Sequence, residues 1–156
     1  MFVFLFGLGK GKIELTLEKF NFSPGDTIKG RIVLSMNKPT KARGIKARLW
    51  GERTITRTSY YNSGPRTEKR NQIIFNFELP LDGEKEYSSG EYEFEIKVPN
   101  NILQSQQAPD GVIGELAKAA AFLGGSFASQ PRWYLEAKLD IPGGMDVSKR
   151  VQINIG

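Results

Sequence analysis

Alternation of apolar and polar residues runs through most of this chain. Ile13, Leu15 and Leu17 are separated by Glu14 and Thr16, the period-two pattern of a half-buried strand. The pattern predicts one strand to Phe22, a turn at Ser23-Pro24-Gly25-Asp26, and a second strand over Thr27 to Met36 with Ile28, Ile32, Leu34 and Met36 on one face. Pro24 presets φ at the second turn position and Gly25 supplies a positive φ at the third. Gly30, inside a strand, marks a bulge or a close backbone approach.

After a loop at Asn37 to Thr40, an extended run covers Ala42 to Thr58. In it Ile45, Ala47 and Leu49 alternate with Lys46, Arg48 and Trp50, and Gly51 breaks or bulges the strand. The Ser, Asn, Gly and Pro content of Ser59 to Glu68 predicts an exposed loop. Further strands are expected at Gln72 to Leu79, Glu91 to Val98, Arg132 to Ile141 and Val147 to Ile155, with a loop over Pro80 to Gly90. Seven to eight strands with turns between them predict an all-β, immunoglobulin-like antiparallel β-sandwich, with a barrel as the alternative. No repeat or composition shift divides the chain, so residues 1–156 are expected to form a single domain.

One segment departs from the alternation. Asp110 is a good N-cap and Gly124-Gly125 a good stop, and the residues between predict a short inserted α-helix at about 111–123. Ile113, Leu116, Ala117, Ala120 and Leu123 share one side of it. The first reading is a lid over the open end of the sandwich. The second is an interface, for a homodimer or a membrane, made by Leu116, Phe122, Leu123 and Phe127; Lys118 is the only cation within the helix, which weakens the membrane version.

The N-terminal Met1 to Phe6 is apolar throughout. It is far shorter than the ~20 residues that span a bilayer and lacks the order of a secretory signal. An initial buried strand ending at Gly7 and Gly9 is the expectation, with a shallow membrane-inserting tip as the minority reading. The default location is cytoplasmic.

Composition narrows the chemistry. With 39% hydrophobic and 25% charged residues the chain is an ordinary folded one. It has no cysteine and no histidine, which removes disulfides, thiolate nucleophiles, the commonest general base and the commonest metal ligand. No carboxylate pair or Ser/Lys grouping has a spacing that suggests catalysis. The expectation is a protein that is not an enzyme, with no cofactor and no metal.

Phe22-Ser-Pro-Gly-Asp-Thr-Ile-Lys-Gly-Arg-Ile-Val-Leu34 is similar to the hairpin that opens arrestin-like domains, Ala42 to Gly51 to a later strand, and Tyr92 to Pro99 to its "F-x-F-x-I-x-x-P" strand. Gly7-Leu-Gly9 and the ending Trp133 to Pro142 with Met145-Asp-Val-Ser148 resemble the sporulation-control relatives of arrestin in bacteria and archaea. The resemblance implies a sandwich without enzyme activity that serves as an adaptor or scaffold for protein partners. Arrestins carry two such sandwiches in tandem and this chain has length for one, so a cradle between two domains would require dimerisation.

Charge supplies the candidate site. Between Lys41 and Arg70 stand Lys41, Arg43, Lys46, Arg48, Arg53, Arg57, Arg66, Lys69 and Arg70 against only Glu52 and Glu68, in a chain of net charge +5. Such a surface attracts phosphorylated tails, anionic lipid or nucleic acid. The bland alternative is a solvated strand face that keeps the sheet soluble. The partner-binding candidates are Lys41, Arg43, Lys46, Arg48, Trp50, Arg53 and Arg57. An acidic or phosphorylated protein partner ranks first and an anionic membrane below it. Nucleic acid ranks low, because Trp50, Tyr60 and Tyr61 form no ribonucleoprotein signature.

Overall fold

The structure, a computed structural model, describes residues 2–8, 10–103 and 126–156. The expected helix, with Leu116, Phe122 and Leu123, lies outside the described residues. Among them there is no helix, so none long and apolar enough to cross a membrane.

Ten strands form two sheets: β1 (Phe2–Leu8), β2 (Gly11–Leu17), β3 (Asn21–Phe22), β4 (Thr27–Ala42), β5 (Gly44–Tyr61), β6 (Gly64–Asp82), β7 (Lys85–Lys97), β8 (Ser126–Ala128), β9 (Arg132–Asp140) and β10 (Val147–Ile155). The first sheet runs β1-β2-β4-β7 and the second β3-β10-β9-β5-β6, with β8 paired to β5. All pairings are antiparallel except β3 with β10. The result is an open β-sandwich.

The count of seven to eight strands is corrected to ten among the described residues, for local reasons. The strand expected from Ile13 to Phe22 is two: the chain leaves the first sheet after Leu17, and Asn21–Phe22 joins the second beside Asn154 and Ile155. The three-residue β8 carries too few positions for periodicity to show.

Two expected loops are strands. Asn37 to Thr40 belongs to β4, whose ladder with β7 shifts register between Ser35 and Thr40. Ser59 to Glu68 is the end of a hairpin in which β5 and β6 pair as far as Tyr61 with Gly64, leaving a two-residue turn at Asn62-Ser63. The loop expected over Pro80 to Gly90 is short, because β6 reaches Asp82 and β7 starts at Lys85.

The turn before β4 forms as its residues require. Gly25 has φ +92°, the Asp26 N–H donates to the Ser23 carbonyl at 3.0 Å, and the Ser23 N–H donates to the Asp26 carboxylate at 2.8 Å. That donor, with Lys19 at 3.3 Å, holds the Asp26 carboxyl below its ordinary value.

Inward residues of both sheets make one core: Ile13, Leu15, Ile32, Leu34 and Ile96 face Ile45, Leu49, Leu135, Leu139 and Ile153, all buried. Each sheet also contains a glycine under an aromatic ring. A Cβ on Gly30 would lie 2.3 Å from Phe94 Cζ, and one on Gly51 would lie 2.4 Å from Trp133 Cζ3. Gly30 is therefore a close approach rather than a bulge. At Gly51 the expected bulge is present, since the β5–β6 register shifts between Gly51 and Glu52, and the expected break is not, since β5 continues to Tyr61.

Candidate functional site

β5 carries most of the candidates and lies between β9 and β6. Its ladder with β9 runs unbroken from Gly44–Asp140 to Glu52–Arg132, so alternation is preserved along it. Lys46, Arg48 and Trp50 lie on the outer face, opposite the buried Ile45, Ala47 and Leu49. Arg53 and Arg57 have the other parity. The single basic strand expected from sequence is therefore divided between two faces.

On the outer face Trp50 is only 5% exposed although it lies outside the core cluster. It stacks on Tyr134 of β9 with ring centroids 5.1 Å apart and planes at 28°. The Arg48 guanidinium lies 4.4 Å from the Trp50 ring centre, and that of Arg150, from β10, 5.0 Å from Tyr134 and 5.9 Å from Trp50. Planar guanidiniums stack on aromatic faces and keep donors for water or an anion. Arg48 also donates from Nε to Asn76 Oδ1 at 2.5 Å. Sequence reasoning missed Tyr134 and Arg150, whose outward parity in the two closing strands was the available signal.

Carboxylates match the cations on this face. Lys46 pairs with Glu78 at 3.0 Å, Arg132 with Glu52 at 3.5 Å, Lys138 with Asp146 at 3.2 Å and Arg43 with Asp140 at 3.8 Å. The hydrogen bond from Lys46 holds the Glu78 carboxyl below its ordinary value. Glu136 stands in register between Arg48 and Arg150. Exposed pairs of this kind stabilise by about 0–1 kcal/mol each. Their consequence here is a face with little net positive potential.

The other parity leads out of the sandwich. Beyond Arg57, β5 pairs only with β6 among the described residues, and the two strands form a ribbon, here called the arm. One face of the arm carries Arg53, Arg57 and Tyr61 from β5 and Arg66, Glu68 and Arg70 from β6, by cross-strand register. Arg53 donates from Nε to Gln72 Oε1 at 2.9 Å, and Arg66 lies 5.1 Å from the Tyr61 ring centre. Glu68 is the sole carboxylate from Arg53 to Gln72. Arg66 and Arg70, counted in the basic segment but not among the candidates, share this face with Arg53 and Arg57. The hairpin register brings them there.

The remaining candidates lie apart. Lys41 is opposite Glu86 in the β4–β7 ladder and lines a shallow depression with Glu84, Lys85 and Glu86. Phe127 lies in β8 opposite Thr56 and is 63% exposed. Among the described residues no group of three or more carboxylates is placed to hold a metal ion.

Next to the depression, Asp82 accepts hydrogen bonds from Lys85 Nζ at 2.7 Å, the Gly83 N–H at 2.8 Å and the Tyr92 hydroxyl at 3.0 Å. The Lys85 hydrogen bond is the largest cause holding its carboxyl below the ordinary 3.8. A carboxyl lowered in the folded state stabilises above its unfolded pKa, and that contribution fades as pH falls through the folded value. Asp82→Asn is therefore expected to flatten the acid limb of the stability profile below about pH 4. Urea melts of parent and variant across the acid range check this, and parallel acid limbs would contradict it.

Two sheets closed over one apolar core, with a long hairpin projecting from the second, define an immunoglobulin-like β-sandwich. The chain belongs to the arrestin N-terminal domain family: the family model described as "Arrestin (or S-antigen), N-terminal domain" matches residues 11–121. Among solved structures it is similar to Spo0M, the sporulation control protein of Bacillus subtilis, with a TM-score of 0.57 and 18% sequence identity over 95% of this chain. The chain spans 50% of that protein's length. A comparison with curated protein sequences finds no match.

Proposed function

We propose that this chain is a non-enzymatic adaptor that recognises an acidic or phosphorylated protein segment through the Arg57–Arg66–Arg70 face of the arm. Membership of the arrestin N-terminal domain family supports the adaptor role in general. One observation carries the choice of surface. On the outer face Lys46, Arg132 and Lys138 are ion-paired and Arg48 and Arg150 flank Glu136, whereas on the arm Glu68 is the sole carboxylate and no ion pair within 4.0 Å joins Arg57, Arg66 or Arg70 to a carboxylate among the described residues.

Guanidiniums engage carboxylate and phosphate oxygens with paired N–H donors, and such charge-assisted bonds are stronger than neutral ones. Arg57 and Arg70 come from different strands and lie diagonally across the ribbon, since Arg57 opposes Glu68 and Arg70 opposes Ile55. An extended segment laid along the arm meets both.

Arg57→Glu with Arg70→Glu is expected to weaken binding of a phosphoserine-containing acidic peptide at least about tenfold, because hydrogen bonds to charged groups contribute ~1.5–3 kcal/mol each. Lys46→Glu with Arg48→Glu is expected to change it less than about twofold, the scale of exposed matched charges. Fluorescence anisotropy with labelled peptides measures both. Absence of binding by the parent, or a loss that follows Arg48 instead, rejects this surface.

A further inference from the structure

The arm ends in two tyrosines that the proposed peptide site does not use. Tyr60 is 82% exposed and Tyr61 52%, immediately before the Asn62-Ser63 turn. Gly64, with φ +112°, closes the hairpin. In β6 every residue from Pro65 to Ile73 is exposed. Two large rings are thus held in water at the far end of a ribbon, where they pack on no core.

Charge is graded along the same axis. At roughly 3.3 Å per residue, Arg66 lies about 10 Å behind the turn, Arg57 about 16 Å and Arg70 about 23 Å. Lys69 adds a cation on the opposite face. The order from the tip is aromatic ring, first guanidinium, then further cations.

We infer that the arm tip docks on an anionic phospholipid surface, with Tyr60 and Tyr61 in the interfacial layer and Arg66 at the level of the lipid phosphates. Tyrosine concentrates at membrane–water interfaces because its ring is apolar and its hydroxyl wet. Cations just behind such rings are drawn to the negative surface potential of anionic lipid, an attraction that fades within a Debye length. The layering of this arm matches that profile.

Two other anionic occupants fit the tip less well. Base stacking in single-stranded nucleic acid needs free aromatic faces, and Arg66 already covers one face of Tyr61. A phosphopeptide needs no exposed rings, and two of the cations that would hold it, Arg57 and Arg70, lie further back on the ribbon. The docking inference goes beyond the adaptor reading: the two share Arg66, and Tyr60 and Tyr61 belong to the docking inference alone.

Sedimentation of the full chain with vesicles tests it. The parent is expected to bind phosphatidylcholine vesicles containing about one third phosphatidylserine, and to bind pure phosphatidylcholine at least about tenfold more weakly, since the surface potential comes from the anionic lipid. Tyr60→Ala with Tyr61→Ala is expected to lower binding to the mixed vesicles at least about fivefold, and Tyr60→Ala alone, on the ribbon face opposite Arg57, Arg66 and Arg70, to lower it while leaving phosphopeptide affinity unchanged. Arg66→Glu should lower it further, and Tyr60→Trp should show a blue-shifted emission component on the mixed vesicles that the parent lacks. Equal binding to both vesicle types, mixed-vesicle binding unaffected by loss of the two tyrosines, or tight binding of the tip to single-stranded RNA would overturn the inference. Circular dichroism confirms that each variant is folded. Unchanged peptide binding in Tyr60→Ala separates failure of this inference from failure of the adaptor reading.

Discussion

Trp133→Ala is expected to lower the unfolding free energy by about 3–5 kcal/mol and the melting temperature by roughly 10 °C or more. Trp133 is only 3% exposed. Its indole lies over Gly51 of the neighbouring strand and meets Phe75 edge-on, with ring centroids 6.2 Å apart at 61°. Removing it leaves a void floored by a residue with no side chain. The floor cannot relax into the gap, and the cost of a large-to-small change rises with the cavity that persists. Denaturant midpoints with an unchanged slope measure the loss.

The same geometry predicts a coupling. Gly51→Val places a Cβ within 2.4 Å of the Trp133 ring in the parent, but in Trp133→Ala it enters vacated space. The double variant is expected to be more stable than the sum of the single changes by about 1–3 kcal/mol, the range for residues in direct contact. Additive losses would mean that the two positions do not share one space.

Most of this architecture was legible because the strands that build the core each hide one face. β2, β9 and β10 alternate buried and accessible residues, and the alternation in sequence is the trace of that burial. The arm was illegible for the converse reason. Its residues from Pro65 to Ile73 are all exposed, so no apolar face marks them, and Ser, Asn, Gly and Pro composition reads as loop. Pairing with its own partner strand holds it extended.

The layout of the candidate site was half legible in the same sense. A charge count along the chain singled out the segment from Lys41 to Arg70, and the parity of Trp50 with Lys46 and Arg48 correctly placed it on the outward side. Parity also separates Arg48 from Arg53 and Arg57, yet it could not show that Glu78, Glu52 and Asp146 would neutralise the outer face. Glu78 and Asp146 come from other segments, and Glu52 meets its partner Arg132 only through the pairing of β5 with β9; β5–β6 pairing and the Asp146 turn bring in the others. Long-range register, which local sequence does not encode, decides which cations stay uncompensated.

Gly30→Val is expected to destabilise the first sheet by about 3 kcal/mol, at the upper end of what overpacking costs. Gly30 is the inward residue of β4 between Ile28 and Ile32, in register with Leu17 of β2 on one side and Phe94 of β7 on the other. A Cβ there would lie 2.3 Å from Phe94 Cζ, 2.6 Å from Cε1 and 3.0 Å from Leu17 Cδ2. Neither neighbour can yield easily, since Phe94 is 4% and Leu17 1% exposed. Valine gains strand propensity over glycine by up to about 1 kcal/mol, which offsets part of the steric cost. Phe94→Ala costs stability of its own by emptying core space, so the double variant is expected to be more stable than the sum of the two single changes by about 1–3 kcal/mol, the valine filling part of the vacated space. Gly83, where a Cβ would meet nothing within 4 Å, is the control, and Gly83→Ala should stay within about 0.5 kcal/mol of the parent. Urea denaturation of the parent, the three single variants and the double variant decides the matter. If Gly30→Val matched Gly83→Ala, the close contact between β4 and the Phe94 ring would not constrain the sheet. A large loss in Gly30→Val that is smaller in the Phe94→Ala background would identify that ring, rather than backbone strain, as the reason for a glycine in the middle of a core strand.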